Sequence, residues 1–384
     1  MKKTKTGFMD WTLLLIVLVL VVLGLIMQYS ASSYNISLVI RQAEYAGVGL
    51  IVLIVMSLIP AGVFYKLSLP AFAVALAFTI LAGLAGKVVN GARRWFELGP
   101  ITFQPSELLK VGVIMACAMV ICKYYSQIHQ AEYLKPKECW QKLRSSERGE
   151  FLQERKGYLF VLLLIVAAAG AVAVFNRDMG TGVIIFVIGY VMMLVMSPRI
   201  SWLLALLGAV FAALIGLVVA FPYRMGRITA WLFPDRYTEN LGYQIKEAMY
   251  AIGSGGWLGR GLGKSVQKEI IPEPHTDMIY SIVCEELGII GGIALIVLFV
   301  FLILRLKKNY DQTVDLYGKM IIAGVTTHIW VQTLINMAVL TGLLPNTGVP
   351  LPFISYGGTS LFCLLLEIGL VMSVRKSGID RSVK

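Results

Sequence analysis

Apolar runs of about 17–25 residues recur along this chain, and each is long enough as a helix to cross ~30 Å of hydrocarbon. No other feature restricts the fold as tightly. Backbone groups in lipid must be satisfied internally, so such segments become helices or strands of a closed barrel. Barrel strands alternate apolar and polar residues, and these runs do not. The expectation is an all-α fold, a polytopic membrane helical bundle forming one integral domain over residues 1–384. Ten spans are expected, near 11–31, 42–60, 68–86, 106–122, 157–175, 181–197, 201–221, 278–304, 318–342 and 358–374. Lys2, Lys3 and Lys5 precede the first run as they would in a signal peptide. That run is too long for one, so a retained first helix is expected.

Charge orients the bundle. The loop 123–156 carries Lys123, Lys135, Lys137, Lys142, Arg144, Arg148, Arg155 and Lys156. The N-terminal lysines, Arg305, Lys307 and Lys308, and the tail with Arg375 and Lys376 fall on the same side. By the positive-inside rule that side is the cytoplasm, with both termini on it. A large extracellular loop, 222–277, then joins spans seven and eight. A net charge of +12 would suit nucleic acid, but the chain is 58% hydrophobic. The charge instead fits loop topology and attraction to anionic membrane lipids, so no nucleic-acid partner is expected. The five cysteines have no metal-ligand spacing beside histidines, which argues against structural zinc.

The outward segments depart from plain connectors. Ile271-Pro-Glu-Pro-His-Thr-Asp277 places His275 and Asp277 at the mouth of the eighth span. An acid is costly to hold there and calls for a role. Arg93 and Arg94 sit in a short outer loop; they either pair with headgroups or bind phosphate through their planar forks. Pro105 marks a helix start, followed by Glu107 and Lys110 on one face. These two either neutralise each other or line a polar cavity. Asp178 in a tight turn either caps the next helix or is a second acid facing Asp277. The loop 222–277 contains an amphipathic stretch after Tyr243, then glycine-rich backbone with Arg260, Lys264 and Lys268, suited to close approach by a diphosphate. No strand precedes those glycines, so a dinucleotide site is rejected. Residues 344–360 pack prolines and glycines around Ser355 and are expected to wall a cavity beside Asp277.

Taken together, these motifs resemble the SEDS family of peptidoglycan polymerases, which includes FtsW, RodA and SpoVE. The resemblance rests on Gly91-Ala-Arg-Arg-Trp through Gln104-Pro-Ser-Glu107, Ala251-Ile-Gly-Ser-Gly-Gly256, Gly261-Leu-Gly263, Pro272-Glu-Pro-His-Thr-Asp277, Glu285-Glu-Leu-Gly288 and Leu351-Pro-Phe-Ile-Ser-Tyr-Gly-Gly358. It implies ten helices, a bacterial cytoplasmic-membrane location and polymerisation of lipid II, a disaccharide-pentapeptide on undecaprenyl diphosphate. It also implies that Asp277 is the catalytic acid and that Asp178 matches a second acid, although Arg177-Asp-Met-Gly-Thr181 departs from the family's Pro-Asp-Leu-Gly-Thr. A single-span transpeptidase, a class B penicillin-binding protein, is the implied partner, among other division or elongation membrane proteins. The Gly261–Lys268 segment looks more like the division and sporulation members.

The reaction expected of these residues is glycosyl transfer. Asp277 would take the proton from the acceptor hydroxyl. Arg93, Arg94 and loop cations would hold the leaving diphosphate. A divalent cation, Mg²⁺ or Mn²⁺, would share that work, though no motif identifies its site. His275 is expected to orient rather than to act as base, and at most one of Glu285 and Glu286 to face the cavity. Two rival readings stay open here, a lipid II flippase and a non-catalytic scaffold for the transpeptidase.

Overall fold

The computed structural model describes residues 9–89, 92–98, 101–125, 156–196, 222–233 and 241–381. The expected span 201–221, most of the loop 123–156, and Gly91, Gly99 and Pro100 lie outside these residues. Among the described residues, eleven helices and one small sheet form the chain. They are α1 (Trp11–Ala31), α2 (Ile36–Leu58), α3 (Ala61–Ala85), α4 (Pro105–Lys123), α5 (Lys156–Val174), α6 (Met179–Met196), α7 (Pro222–Leu232), α8 (Leu241–Ser254), α9 (Ile279–Gln312), α10 (Leu316–Leu340) and α11 (Gly358–Arg381). Nine of them are long and apolar enough to cross a membrane; α7 and α8 are not among the nine. α2 and α3 begin six or seven residues earlier than hydropathy suggests, at Ile36 and Ala61. Helical hydrogen bonding continues through polar residues such as Arg41 and Gln42, which dilute the apolar run.

Burial ranks the helices. The most apolar stretch of α4 is 89% buried, against 22% for α2 and 28% for α3 and α9. α4 is therefore the axis of the bundle, packed by α3, α5, α6, α10 and α11. The helices at the periphery turn apolar faces outward, as lipid requires. Pro105 begins α4 with its fixed φ, and Glu107 stands in the first turn, where the helix dipole favours an acid.

The connector between α3 and α4 holds a three-stranded antiparallel meander, an addition to the all-helical expectation. Its strands are β1 (Lys87–Val89), β2 (Ala92–Leu98) and β3 (Ile101–Phe103). Val88 pairs with Arg93, and Glu97 with Thr102. Thr359 at the start of α11 donates to the Thr102 carbonyl at 3.1 Å and accepts from the Gln104 N–H, fixing the sheet to the bundle.

At the opposite end, Asp10 caps α1 through the Leu13 N–H and pairs with Arg305 of α9 at 2.6 Å. Arg375 of α11 lies 3.7 Å from the same carboxylate. The start of α1 and the ends of α9 and α11 thus share one end of the bundle. The sheet, the loop 343–357 and the start of α9 share the other.

The helix α9 is broken. Gly288 leaves helical geometry at φ 71°, ψ −174°. Ile289 and Ile290 N–H groups bond to the Gly256 and Trp257 carbonyls, and the Glu285 and Glu286 carbonyls accept from Arg260 and Gly261 N–H. A glycine-rich loop is spliced into the helical hydrogen-bond ladder.

Candidate active site

Asp277 lies in the turn before α9, half-buried against the loop 343–357. Its carboxylate accepts from the Thr276 hydroxyl at 3.2 Å. A Cβ on Gly348, whose φ of +67° suits glycine, would stand 3.8 Å from Asp277 Oδ2. Burial pushes the Asp277 carboxyl above its ordinary pKa and Glu273 adds to this, while the Thr276 hydrogen bond and Arg227 of α7 act in the other direction. The result is a more basic carboxylate on a polar, partly open surface. Both segments meeting here hold a non-glycine residue in left-handed backbone, Glu273 at φ 49° and Phe353 at φ 63°. Strain of this kind persists only where surrounding contacts enforce it.

The enforcing contacts come from side-chain amides. Asn336 of α10 donates to the Asp277 carbonyl at 2.7 Å and to the Val349 carbonyl at 2.8 Å. Gln332, one turn earlier, donates to the Pro350 carbonyl at 2.9 Å. Gln28 of α1 donates to the Ile354 carbonyl at 2.7 Å, and Gln42 of α2 accepts from the Gly357 N–H at 3.2 Å. Three helices therefore satisfy the irregular backbone of this loop, as its depth in the bundle demands.

His275 is tied in through its main chain, whose carbonyl accepts from the Tyr356 N–H at 2.9 Å, and its ring meets Tyr356 edge-on at 5.6 Å. Burial lowers its pKa, with Glu273 opposing, so the imidazole is neutral near pH 7. Ser355 is inward-facing and accepts from the Leu351 N–H at 2.8 Å. His275 Nδ1, Asn336 Oδ1 and Thr347 Oγ1 are buried and find no partner among the described residues. These three segments meet around Asp277, and such atoms suit a polar ligand.

The other expected site residues separate into three groups. Glu107 and Lys110 pair at 2.9 Å deep in α4, and Lys110 reaches the Gln332 side-chain oxygen at 3.1 Å. They connect with the site through Gln332 rather than by facing Asp277. Arg94 is turned to the α5–α6 turn, donating to the Asn176 and Arg177 carbonyls and lying 3.4 Å from Asp178. Asp178 in turn caps α6 through the Thr181 N–H and hydroxyl. Two residues on, a Cβ at Gly180 would stand 3.1 Å from the Thr347 carbonyl, so this turn borders the loop beside Asp277. Arg93 is exposed and donates to the Leu84 carbonyl.

The third group is the glycine-rich loop with its cations, which packs against the Glu285-Glu286 segment of α9. Glu285 and Glu286 are both fully buried and both face the glycine-rich loop. Glu285 accepts from the Ser265 hydroxyl and from the Val266 and Gln267 N–H; Glu286 accepts from Ser30 of α1 and the Ser265 N–H. A Cβ on Gly255 or Gly259 would meet the Cys284 or Glu286 carbonyl at 2.0 or 2.2 Å. Gly255 and Gly259 therefore serve close approach to helix backbone, while Gly253 and Gly256 face open space. Lys268 is buried, donating to the Gly263 carbonyl at 2.9 Å over the Tyr34 ring. Arg260 is exposed and lies 3.6 Å from Glu285, and Lys264 is exposed. Among the described residues no three His, Cys, Asp or Glu side chains gather as metal ligands.

Sequence reading did not single out Gln332, Asn336 or Gln28. A lone amide in an apolar span carries no local signal beyond its cost in lipid, and that cost is the one clue available.

The family model described as Cell cycle protein, covering FtsW, RodA and SpoVE, matches residues 10–378. Stage V sporulation protein E of Bacillus subtilis is 34% identical, over 97% of this chain and 98% of that one. The probable peptidoglycan glycosyltransferase FtsW of Coxiella burnetii is likewise 34% identical over 97% and 98%. Peptidoglycan glycosyltransferase MrdB of Escherichia coli is 29% identical over 95% and 93%. Among solved structures, one described as "Structural coordination of polymerization and crosslinking by a peptidoglycan synthase complex" superposes with a TM-score of 0.78 at 27% identity, covering 96% of this chain and 98% of that one. The rod shape determining protein RodA of Thermus thermophilus gives 0.69 at 25% identity, covering 96% and 97%. A match of this extent means that the chain belongs to the FtsW/RodA/SpoVE family.

Proposed function

We infer that this multi-pass membrane protein is a peptidoglycan glycosyltransferase that polymerises lipid II, with Asp277 as its base. The observation that carries the assignment is a carboxylate of raised basicity, set by backbone contacts beside unsatisfied polar atoms at one end of a family-typical bundle. Asp277 takes the proton from the acceptor GlcNAc 4-hydroxyl. The freed oxygen pair attacks the donor MurNAc anomeric carbon, and the bond from that carbon to the diphosphate oxygen breaks. Undecaprenyl diphosphate leaves with the electron pair, and the chain is one disaccharide longer. A diphosphate needs little protonation to depart, so one acid suffices where a glycosidase employs two. Arg93, Arg260 and Lys264 are the exposed cations assigned to the diphosphate. Arg94 and Lys268 shape the surface instead.

The active face is the outer one, by the positive-inside reading of the loops. A division or sporulation role is favoured over elongation by 34% identity to SpoVE and FtsW sequences against 29% to MrdB. A class B penicillin-binding protein is the partner, supported by the likeness to a synthase complex described by polymerisation and crosslinking.

The test is purified protein with its transpeptidase and fluorescent lipid II, read as glycan ladders on a gel. The parent forms ladders, and Asp277→Asn loses about 10²–10⁴-fold in rate. Parental ladders from Asp277→Asn would remove the base assignment. Transfer of lipid II across liposomes without any glycan would replace the polymerase with a flippase.

A further inference from the structure

We propose that Gln332 and Asn336 are positioning residues for this reaction, a pair of amides on one face of α10 that fixes Asp277 and the loop 346–350 as a single body. The inference rests on Asp277 being the base. Gln332 and Asn336 are 0% and 2% exposed and stand four residues apart, so they project from the same side of the helix. They capture consecutive carbonyls, Gln332 that of Pro350 and Asn336 that of Val349. Asn336 spends its second amide hydrogen on the Asp277 carbonyl, so loop and base hang from one nitrogen.

The orientation of Gln332 is set from behind. Its side-chain oxygen accepts from Lys110 Nζ at 3.1 Å and lies 2.8 Å from His328 Nε2. A carbonyl oxygen only accepts, so Nε2 carries hydrogen. His328 Nδ1 lies 2.8 and 2.9 Å from the two Glu367 oxygens, which hold the ring in place. Lys110 is itself held by Glu107. A flipped Gln332 amide would aim its NH₂ at two donors, and Pro350 would lose its own. Charged groups in the bundle interior thereby dictate which way an amide points, and that amide holds the wall beside Asp277. Glu107 and Lys110 gain a reason for their place that ion pairing alone does not give.

Satisfying buried carbonyls would be a merely structural task, so the test separates the two roles. Gln332→Glu keeps an acceptor for Lys110 and His328, replaces the amide donor to Pro350 with a carboxylate oxygen, and adds a charge that Lys110 faces. Asn336→Ala removes the tie between loop and base. Initial rates of lipid II polymerisation across substrate concentrations should show kcat down about 10–100-fold, the cost of roughly 1 Å of misplacement, with KM within about twofold. The Gln332→Glu melting temperature in detergent should stay close to the parent's. Should Asn336→Ala not fold, Asn336→Ser, which retains one donor, should show the same split. Parental kcat in these variants, beside an inactive Asp277→Asn, overturns the positioning role and leaves the base standing. KM rising in step with the loss of kcat also overturns it. Parental rates from Asp277→Asn discard the base and this inference together.

Discussion

Asp277 is held by its main chain, while among the described residues its carboxylate is met by the Thr276 hydroxyl and its own backbone N–H. That separation lets the charge-bearing atoms stay available and poorly solvated. Because burial raises the folded-state pKa of an acid, the carboxylate is a base only above that raised value. Polymerisation should therefore fail on the acid side at a pH above the ordinary Asp value of 3.8, checked by a pH–rate profile of the parent. The same shift has the opposite sign for stability. The folded chain binds the Asp277 proton more tightly than the unfolded chain, so stability falls as pH rises through the window between the two values. Asp277→Asn, which carries no charge, should melt higher than the parent at neutral pH while losing activity. An equal or lower melting temperature would mean that the carboxylate is better solvated than its surroundings imply.

The break in α9 is an element built from two distant pieces of sequence. Four backbone hydrogen bonds cross between residues 256–261 and 285–290, at 2.9 to 3.3 Å. At about 1 kcal/mol each they amount to roughly 4 kcal/mol, and no flexible side chain stands at the seam to yield. Gly259→Ala should cost a comparable amount, since its φ of +77° and the Glu286 carbonyl both exclude a methyl group. Gly253→Ala, where nothing lies within 4 Å, should be neutral or stabilising by up to about 1 kcal/mol. Surviving fraction after heating in detergent, read by fluorescence size exclusion, compares the two. The glycine-rich composition was legible in the sequence, but its purpose was not. Glycine reports that something comes close, and only packing shows whether it is phosphate or another backbone. The small sheet escaped for a related reason: β1 and β3 are three residues long, and Ala92-Arg-Arg-Trp-Phe-Glu-Leu98 of β2 does not alternate apolar with polar.

At the scale of the molecule, the membrane-crossing helices were legible because hydropathy acts on each span independently of its neighbours. The assembly of spans was not, since Gln28 meets Ile354 and Ser30 meets Glu286 only after the bundle forms. Asp10 is the corresponding tie at the other end, joining three helices by cap and ion pairs. Burial alone would raise its pKa, but hydrogen bonds from Arg305 above all hold it below the usual 3.8. Its contribution is present above the unfolded value and is lost as pH falls through the folded one. Asp10→Ala should destabilise the bundle by about 3 kcal/mol at neutral pH, and by less as the medium is acidified, measured by thermal melts across pH. The spliced helix also governs how parts of this protein can be exchanged with those of relatives. Residues 255–268 and 284–290 form one interlocking module although a connecting stretch separates them. A chimera that swaps the glycine-rich loop must bring its own Glu285-Glu286 segment, and with it Ser30 of α1 and Tyr34 of the turn that follows, or its donors will meet carbonyls in the wrong register.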